Sequence, residues 1–246
     1  MQKLIAELMR LYLPAGAVPP DVLALHALGQ QHLEVSLTGA DGLTRAFMIP
    51  FRKGEQAWEQ LCDVANALQQ ELGLPAPAVS ISGDDAYGLW LSFEPAQPAA
   101  QAQALLERLR DRYFPDTDLP GDAVRRPVAL PPCVHPRSGK WSAFIHPGMG
   151  ASFADEPGLD MAPPPHGQVT FLEKLESVNA EQFGHAMAVL GPGQPVVQQA
   201  VAMPGATSAQ ATGLLLKDAT LEDIVRHLHA LNIEPTFRHL IAPLTR

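Results

Sequence analysis

The chain has 246 residues, of which 46% are hydrophobic, and its formal net charge is −9 at pH 7. This composition supports a folded core and excludes wholesale disorder, while the acidic balance disfavours a protein held on nucleic acid by its overall field. Because there are only two cysteines, Cys62 and Cys133, a disulfide framework and a cysteine-based zinc site are excluded, and a cytoplasmic location is expected. No apolar run approaches the roughly 18 residues that a membrane span needs, so no membrane partner is expected.

Hydrophobic periodicity predicts an alternation of strand pairs and helices along the first 145 residues. In chain order the predicted elements are helices 2–12 and 21–29, strands 32–37 and 43–51, helix 55–72, strands 78–82 and 88–93, helix 98–113, and strands 128–130 and 141–145. The first helix is amphipathic and lacks the cleavage site of a secretory signal. Gly73 and the prolines after it end the helix over 55–72.

The remainder of the chain differs in composition and in its pattern of predicted elements. Residues 147–167 are rich in proline and glycine and predict a long exposed loop or linker. A helix is expected over 180–190, and a last strong helix begins at Thr220. His227 and His229 lie two residues apart in that helix and hence on different faces, so they do not predict a metal pair.

Strands connected in pairs with helices between them predict an α+β fold, in which helices pack on one face of the sheet. A doubly wound dinucleotide-binding sheet is not indicated, because the chain has neither a GxGxxG fingerprint nor a P-loop. We expect an α+β domain with N-terminal helices over 1–165 and a mostly helical accessory region over 166–246.

The hairpin ISGDDAYGLWLSFE at 81–94 resembles a motif of the archaeo-eukaryotic primase superfamily, which includes the primase-polymerases. The motif reads Ser-Gly, two residues, Gly, an aromatic, His, an aliphatic and Trp. The matching positions here are Ser82, Gly83, Tyr87, Leu89 and Trp90. The second Gly of the motif is replaced by Ala86, and its His by Gly88.

Two further segments resemble motifs of the same superfamily in the same order, so that the resemblance covers roughly residues 30–150. FMIPFRKG at 47–54 resembles the first acidic motif, and RRPVALPPCVHPRSGKWSAFIHP at 125–147 resembles the third. The resemblance implies a primase-like sheet. It also implies metal-binding acids at three positions, which here are Pro50, Arg52 and His146.

These departures bear directly on the chemistry. The resemblance implies two divalent ions that clamp the attacking and leaving oxygens of phosphoryl transfer. Pro50 cannot bind a metal, Arg52 repels one, and His146 is a poor ligand for Mg²⁺, which prefers oxygen. Gly88 cannot replace the histidine implied to contact nucleotide phosphates. We therefore predict no catalytic residue, no metal ligand and no cofactor. Mg²⁺ or Mn²⁺ enters only if the acids have relocated.

Basic residues in and before the third motif predict a surface for nucleotide or single-stranded nucleic acid. The segment HPRSGK can present a hydroxyl group, backbone N–H groups and two cations to a phosphate. The residues assigned to this surface are Ser82, Arg125, Arg126, His135, Arg137 and Lys140. The alternative interpretation of HPRSGK is an exposed polar hairpin.

Other residues of the motifs have two interpretations each. Tyr87 and Trp90 are either stacking groups for bases or core residues. Asp84 and Asp85 are either metal ligands or, as we expect, residues that stabilise the turn. Ser138 has no evident Ser-His-Asp partners in the sequence, so nucleophilic catalysis is not expected.

Three functions remain open. The first is a catalytically degenerate primase-like protein that binds nucleotide or single-stranded nucleic acid as an accessory factor in replication or a mobile-element system. An alternative is a protein-interaction subunit without nucleic-acid binding, with another protein of such a system as its partner. A second alternative is an active primase or polymerase with relocated metal ligands.

Overall fold

The computed structural model describes residues 1–54 and 56–191. Its helices are α1 Gln2–Tyr12, α2 Pro20–Ala27, α3 Ala57–Gln70, α4 Ala99–Tyr113, α5 Pro165–Leu172 and α6 Ala180–Val189. Its strands are β1 Glu34–Val35, β2 Leu43–Arg52, β3 Ala78–Ile81, β4 Ala86–Pro98, β5 Val128–Ala129 and β6 Ala143–Ile145. The predicted helix from Thr220 lies outside the described residues.

Four strands form an antiparallel sheet in the order β2-β4-β3-β6, and β1 pairs with β5 in a separate two-stranded ribbon. The registers place Pro50, Gly88, Ser80 and Phe144 side by side across the four strands. The predicted α+β class, with antiparallel strands and helices, is confirmed. No helix in the described part of the chain is long and apolar enough to cross a membrane.

One face of strand β4 is apolar and is buried against helices. Its odd-numbered residues Tyr87, Leu89, Leu91 and Phe93 are at most 2% exposed, and they belong to the core that contains the apolar faces of α3 and α4. Successive strand side chains point to opposite faces, so this alternation defines one buried face. The predicted packing of α3 and α4 on that face is confirmed.

The opposite face of the sheet is also covered, by α1 and α5, and α2 packs on α1. Tyr12 at the end of α1 stacks on Phe144 of β6, with ring centroids 5.5 Å apart, and lies 5.3 Å from the Trp90 ring of β4. These three side chains are 1–3% exposed. The sequence pattern predicted α1 but not the face on which it packs, because periodicity locates an apolar stripe without naming its partner.

Single residues close the two edges of the sheet. At the β6 edge, the buried side chain of Gln168 accepts the N–H of Phe144 through Oε1 and donates to the carbonyl oxygen of Phe144 through Nε2, both at 2.9 Å. At the β2 edge, Lys53 donates its N–H to the carbonyl oxygen of Asp85. Every second residue counted back from Lys53, at 51, 49 and 47, therefore points its backbone N–H toward β4. Pro50 belongs to the other set, and the N–H that it lacks would have pointed outward.

The segment 147–167 is not a linker. It begins with a 3₁₀ helix, Pro147–Phe153, in which the carbonyl oxygen of Gly150 accepts a hydrogen bond from the Tyr87 hydroxyl at 2.9 Å. Beyond it α5 packs on α1 and β6, and α6 packs on β4. The boundary at 165/166 stays a prediction, since most of the region after it lies outside the described residues.

The edge contact of Gln168 gives a first prediction. In Gln168→Glu the donor facing the Phe144 carbonyl becomes an acceptor, so we expect a loss of at least about 1–3 kcal/mol in the free energy of unfolding at pH 7. The loss should shrink as the pH is lowered, because a protonated carboxyl can donate to that carbonyl. Urea unfolding at pH 7 and pH 5 measures both effects.

Gln101→Glu is the matched control, because Gln101 is exposed on α4. We expect it to change stability by less than about 0.5 kcal/mol. Equal effects of the two substitutions would contradict a role for Gln168 at the sheet edge.

Candidate functional site

The turn between β3 and β4 is built on Ser82 and Gly83. The Ser82 hydroxyl accepts hydrogen bonds from the N–H groups of Asp84 at 3.1 Å and Ala86 at 3.0 Å. Gly83 has φ +82°, a left-handed conformation that glycine adopts at little cost. The oxygen of the Ser82 hydroxyl, a group that the sequence assigned to ligand binding, thus accepts two hydrogen bonds within the turn.

Residues 134–141 form a loop that packs directly on this turn. Ser138 donates its hydroxyl to the carbonyl oxygen of Gly83 at 2.5 Å and accepts the N–H of Lys140 at 3.2 Å. A Cβ at Gly83 would lie 3.0 Å from the Lys140 carbonyl oxygen and 3.1 Å from the Cβ of His135. Gly83 is therefore needed both for its φ and for the close approach of the loop. We call the turn 82–85, the loop 134–141 and residues 52–53 and 155–160 beside them the hairpin tip.

Carboxylates of the turn pair with the cations that the sequence assigned to phosphate binding. Arg137 forms an ion pair with Asp84, and His135 Nε2 lies 3.8 Å from the same carboxylate. Arg52 pairs with Asp85 at 3.1 Å. The two acids that were expected to stabilise the turn also neutralise its basic neighbours.

Lys140 is held by acids of the loop over 155–160. Its ammonium group pairs with Glu156 and lies 3.2 Å from Asp160, and the hydrogen bond to Glu156 is the main reason why the pKa of Lys140 is raised. Gly83 donates its N–H to the Pro157 carbonyl oxygen at 2.7 Å, which fixes the loop over the turn. Lys140 is thus a cation with its own counter-ions.

Arg125 and Arg126 lie at the other end of the sheet. They belong to the 3₁₀ helix Ala123–Arg125 and its end, where the Val124 carbonyl oxygen accepts a hydrogen bond from Thr38, which bridges to Thr44 at the start of β2. The ten residues of β2 separate that end from Arg52 by about 30 Å at the usual rise per residue. Arg126 pairs locally with Asp122 at 2.8 Å. The structure therefore brings Ser82, His135, Arg137 and Lys140 together and leaves Arg125 and Arg126 apart.

The space above Gly88 is filled by its neighbours on the sheet. Trp90 donates its indole N–H to the Ser80 hydroxyl at 2.8 Å, across the position of Gly88. A Cβ at Gly88 would lie 2.7 Å from Ser80 Oγ and 2.9 Å from Trp90 Nε1. A histidine at this position, as in the primase motif, has no room here.

The two aromatic residues of the motif are core residues. Tyr87 is 2% exposed on the face of α3 and α4, and Trp90 is 3% exposed on the face of α1. The hypothesis that they stack on bases is wrong for both, and the core interpretation is confirmed. Alternation along β4 explains why adjacent odd and even positions reach different cores.

The three positions at which the primase resemblance implies metal-binding acids have different environments in this structure. Arg52 and His146 are exposed, whereas Pro50 is partly buried in the sheet. His146 caps the 3₁₀ helix after β6, accepting the N–H of Gly148 at 3.0 Å through Nδ1. In residues 1–54 and 56–191 no group of three His, Cys, Asp or Glu side chains is placed to hold a metal ion.

The fold assembles one constellation that the sequence did not reveal. Ser138 Oγ lies 3.4 Å from His135 Nδ1, and His135 in turn approaches Asp84. The order resembles a nucleophile, a base and an orienting acid. The serine proton, however, is donated to the Gly83 carbonyl oxygen at a shorter distance, so this hydroxyl supports the loop. No sequence signal could have found the contact, because Asp84 is more than 50 positions away.

No protein-family model matches the chain, and no curated protein matches its sequence. Among solved structures, the chain is similar to the AEP domain of the cyanophage S-2L primase-polymerase. The alignment covers 63% of this chain and 77% of that domain, with a TM-score of 0.39 and 15% sequence identity.

The packing above Gly88 yields a second prediction. Gly88→Ala should lower the free energy of unfolding by about 1–3 kcal/mol, because the new methyl group displaces Trp90 or Ser80 from their hydrogen bond. The control is Gly184→Ala, at an exposed position of α6 with open space for a Cβ. There we expect a gain of up to about 1 kcal/mol from helix propensity. Denaturant unfolding measures both, and a neutral Gly88→Ala variant would contradict the packing argument.

Proposed function

We propose that this chain is a primase-like protein without polymerase chemistry, which acts by binding as an accessory factor in replication or a mobile-element system. The observation that carries the proposal is the filled second face of the sheet. The row Pro50, Gly88, Ser80 and Phe144 lies there, and Tyr12, Trp90 and Phe144 pack over it as a buried aromatic cluster.

A two-metal phosphoryl-transfer site requires several carboxylates around a polar cavity that substrate can enter. Carboxylates beside Trp90 would be buried without cations, which costs several kcal/mol for each charge. The described residues place mostly apolar side chains at this face instead, and the turn carboxylates Asp84 and Asp85 are already paired with Arg137 and Arg52. Relocated metal ligands are therefore the least supported alternative.

For the partner, the charges at the hairpin tip favour another protein over nucleic acid. Four cations, Arg52, Lys53, Arg137 and Lys140, lie with five acids, Asp84, Asp85, Asp155, Glu156 and Asp160. This mixed surface has no excess of positive charge with which to neutralise phosphates. A protein surface with its own polar groups and ion pairs is a better match.

Binding of nucleotide or single-stranded nucleic acid at the tip is a second candidate, which the exposure of two arginines favours. The side chains of Arg52 and Arg137 are 78% and 76% exposed. Ion pairs at such positions contribute about 0–1 kcal/mol, so a phosphate group can compete for either guanidinium group.

The two candidates differ in a third prediction, on charge removal at the tip. For wild type at physiological salt we expect no saturable binding of short single-stranded DNA or RNA by fluorescence anisotropy. At low salt, where weak wild-type binding can be measured, we expect affinity to rise about thirtyfold in Asp84→Asn/Asp85→Asn, because each of the two like charges removed is worth about 1 kcal/mol near a phosphate. Arg125→Ala/Arg126→Ala, at the far end of the sheet, is the matched control and should have no effect. Tight wild-type binding that is lost in Arg137→Ala/Lys140→Ala would establish the nucleic-acid candidate instead.

The absence of polymerase chemistry is a fourth prediction. With a primer-template, labelled nucleotides and Mn²⁺ or Mg²⁺, we expect no extension and no primer synthesis, because Pro50, Arg52 and His146 cannot clamp two metal ions. Gel analysis of labelled products checks this result. A product that disappears in Asp84→Asn/Asp85→Asn would overturn the proposal and identify relocated ligands.

A further inference from the structure

A groove of about 430 Å³ runs between α1 and α2 on the outer surface of the helical layer. Its walls include Met1, Ala6 and Met9 from the α1 side and Pro20, Asp21 and Ala24 from α2. Gln2 and Asp21 are the polar side chains of the lining, and its other side chains are apolar. We call this feature the α1–α2 groove.

The apolar surface continues along α2 beyond the groove. Leu25 and Leu28 follow Asp21 and Ala24 by four residues, which places them on the same side of the helix. They are 40% and 46% exposed, and Met1 is 37% exposed. Among the described residues six large hydrophobic side chains are exposed, and half of them lie on this one surface. Such clustering marks an interaction site more often than scattered exposure does.

The shape of the α1–α2 groove suits a helix. Ala6 and Ala24 are small and permit close approach, whereas the methionine side chains of Met1 and Met9 can adapt to a partner surface. The eleven residues of α1 offer about 16 Å of wall, enough for three turns of an amphipathic helix laid alongside. Apolar residues of that helix at i, i+3, i+4 and i+7 would enter the groove.

Charge selects among possible occupants. Asp21 is the charged side chain in the lining, and it is exposed in the first turn of α2. The chain carries a net charge of −9, so a second copy would be repelled over long range and a cationic segment attracted. We propose that the α1–α2 groove binds a basic amphipathic helix of another protein, with a lysine or arginine of that helix at Asp21. This inference rests on the proposed function, since it names the surface that the protein partner contacts.

The test uses the full chain and a fluorescein-labelled model peptide of about 18 residues, with leucines on one helical face and lysines elsewhere. We expect saturable binding by anisotropy at physiological salt. Affinity should fall at least tenfold in Ala24→Arg, which fills the groove with a like charge, and about threefold to tenfold in Asp21→Lys. Leu43→Asp, at an exposed leucine of β2 outside the groove, is the matched control and should bind as wild type.

Two comparison peptides separate specific docking from general stickiness. A scrambled peptide of the same composition and a peptide with glutamates in place of lysines should both bind at least tenfold more weakly to wild type. Equal binding of the scrambled peptide, or normal binding by a folded Ala24→Arg variant, would overturn the proposal. Concentration-dependent dimerisation in light scattering that Ala24→Arg abolishes would also overturn it, by making a second copy the occupant.

The two proposals fail separately. Nucleotide incorporation in the polymerase assay would overturn the proposed function without changing peptide binding at α1–α2. Failure of the peptide to bind the α1–α2 groove would contradict only the groove proposal. The argument from the filled sheet face would be unchanged, and another helix surface would have to be tested for the partner.

Discussion

The hydrogen bond from the Trp90 indole to the Ser80 hydroxyl determines much of this structure, because it lies across the space above Gly88. Because that space is filled, Tyr12 packs against the ring of Trp90. This contact places α1, which ends at Tyr12, on the sheet. An antiparallel sheet often leaves one face to solvent or substrate. Here both faces are buried in cores, and in the described part of the chain recognition is left to the hairpin tip and the outer surfaces of the helices.

Local elements of the fold could be predicted from the sequence because their signals are local. The stripe over 55–72 matches α3, and the strand predicted over 88–93 lies within β4. The position of α1 could not be predicted in the same way. Its apolar stripe would fit any complementary apolar surface, and only the shape around Trp90 selects this one.

The candidate site was predictable only in part, for a related reason. Arg126 and Arg137 are eleven positions apart in one motif, yet β5 and the chain after it carry them to opposite ends of the sheet. Counting basic residues also gives no information on their counter-ions. Asp84 follows Gly83 in a turn whose geometry became visible only with the loop over 134–141 in place, and its pairing with Arg137 changes a predicted phosphate site into a mixed-charge surface.

The bidentate contact of Gln168 has a consequence for how this molecule can assemble. An amide side chain that both accepts from and donates to the Phe144 backbone takes the place of the next strand at the β6 edge. At the far edge Pro50 withholds the donor that a fifth strand would need. The sheet is thereby terminated at both ends, so the fold resists growth by strand addition, whether by a partner's peptide or by misassembly of its own copies. Within residues 1–54 and 56–191, the surfaces that remain for complex formation are therefore those of helices and loops.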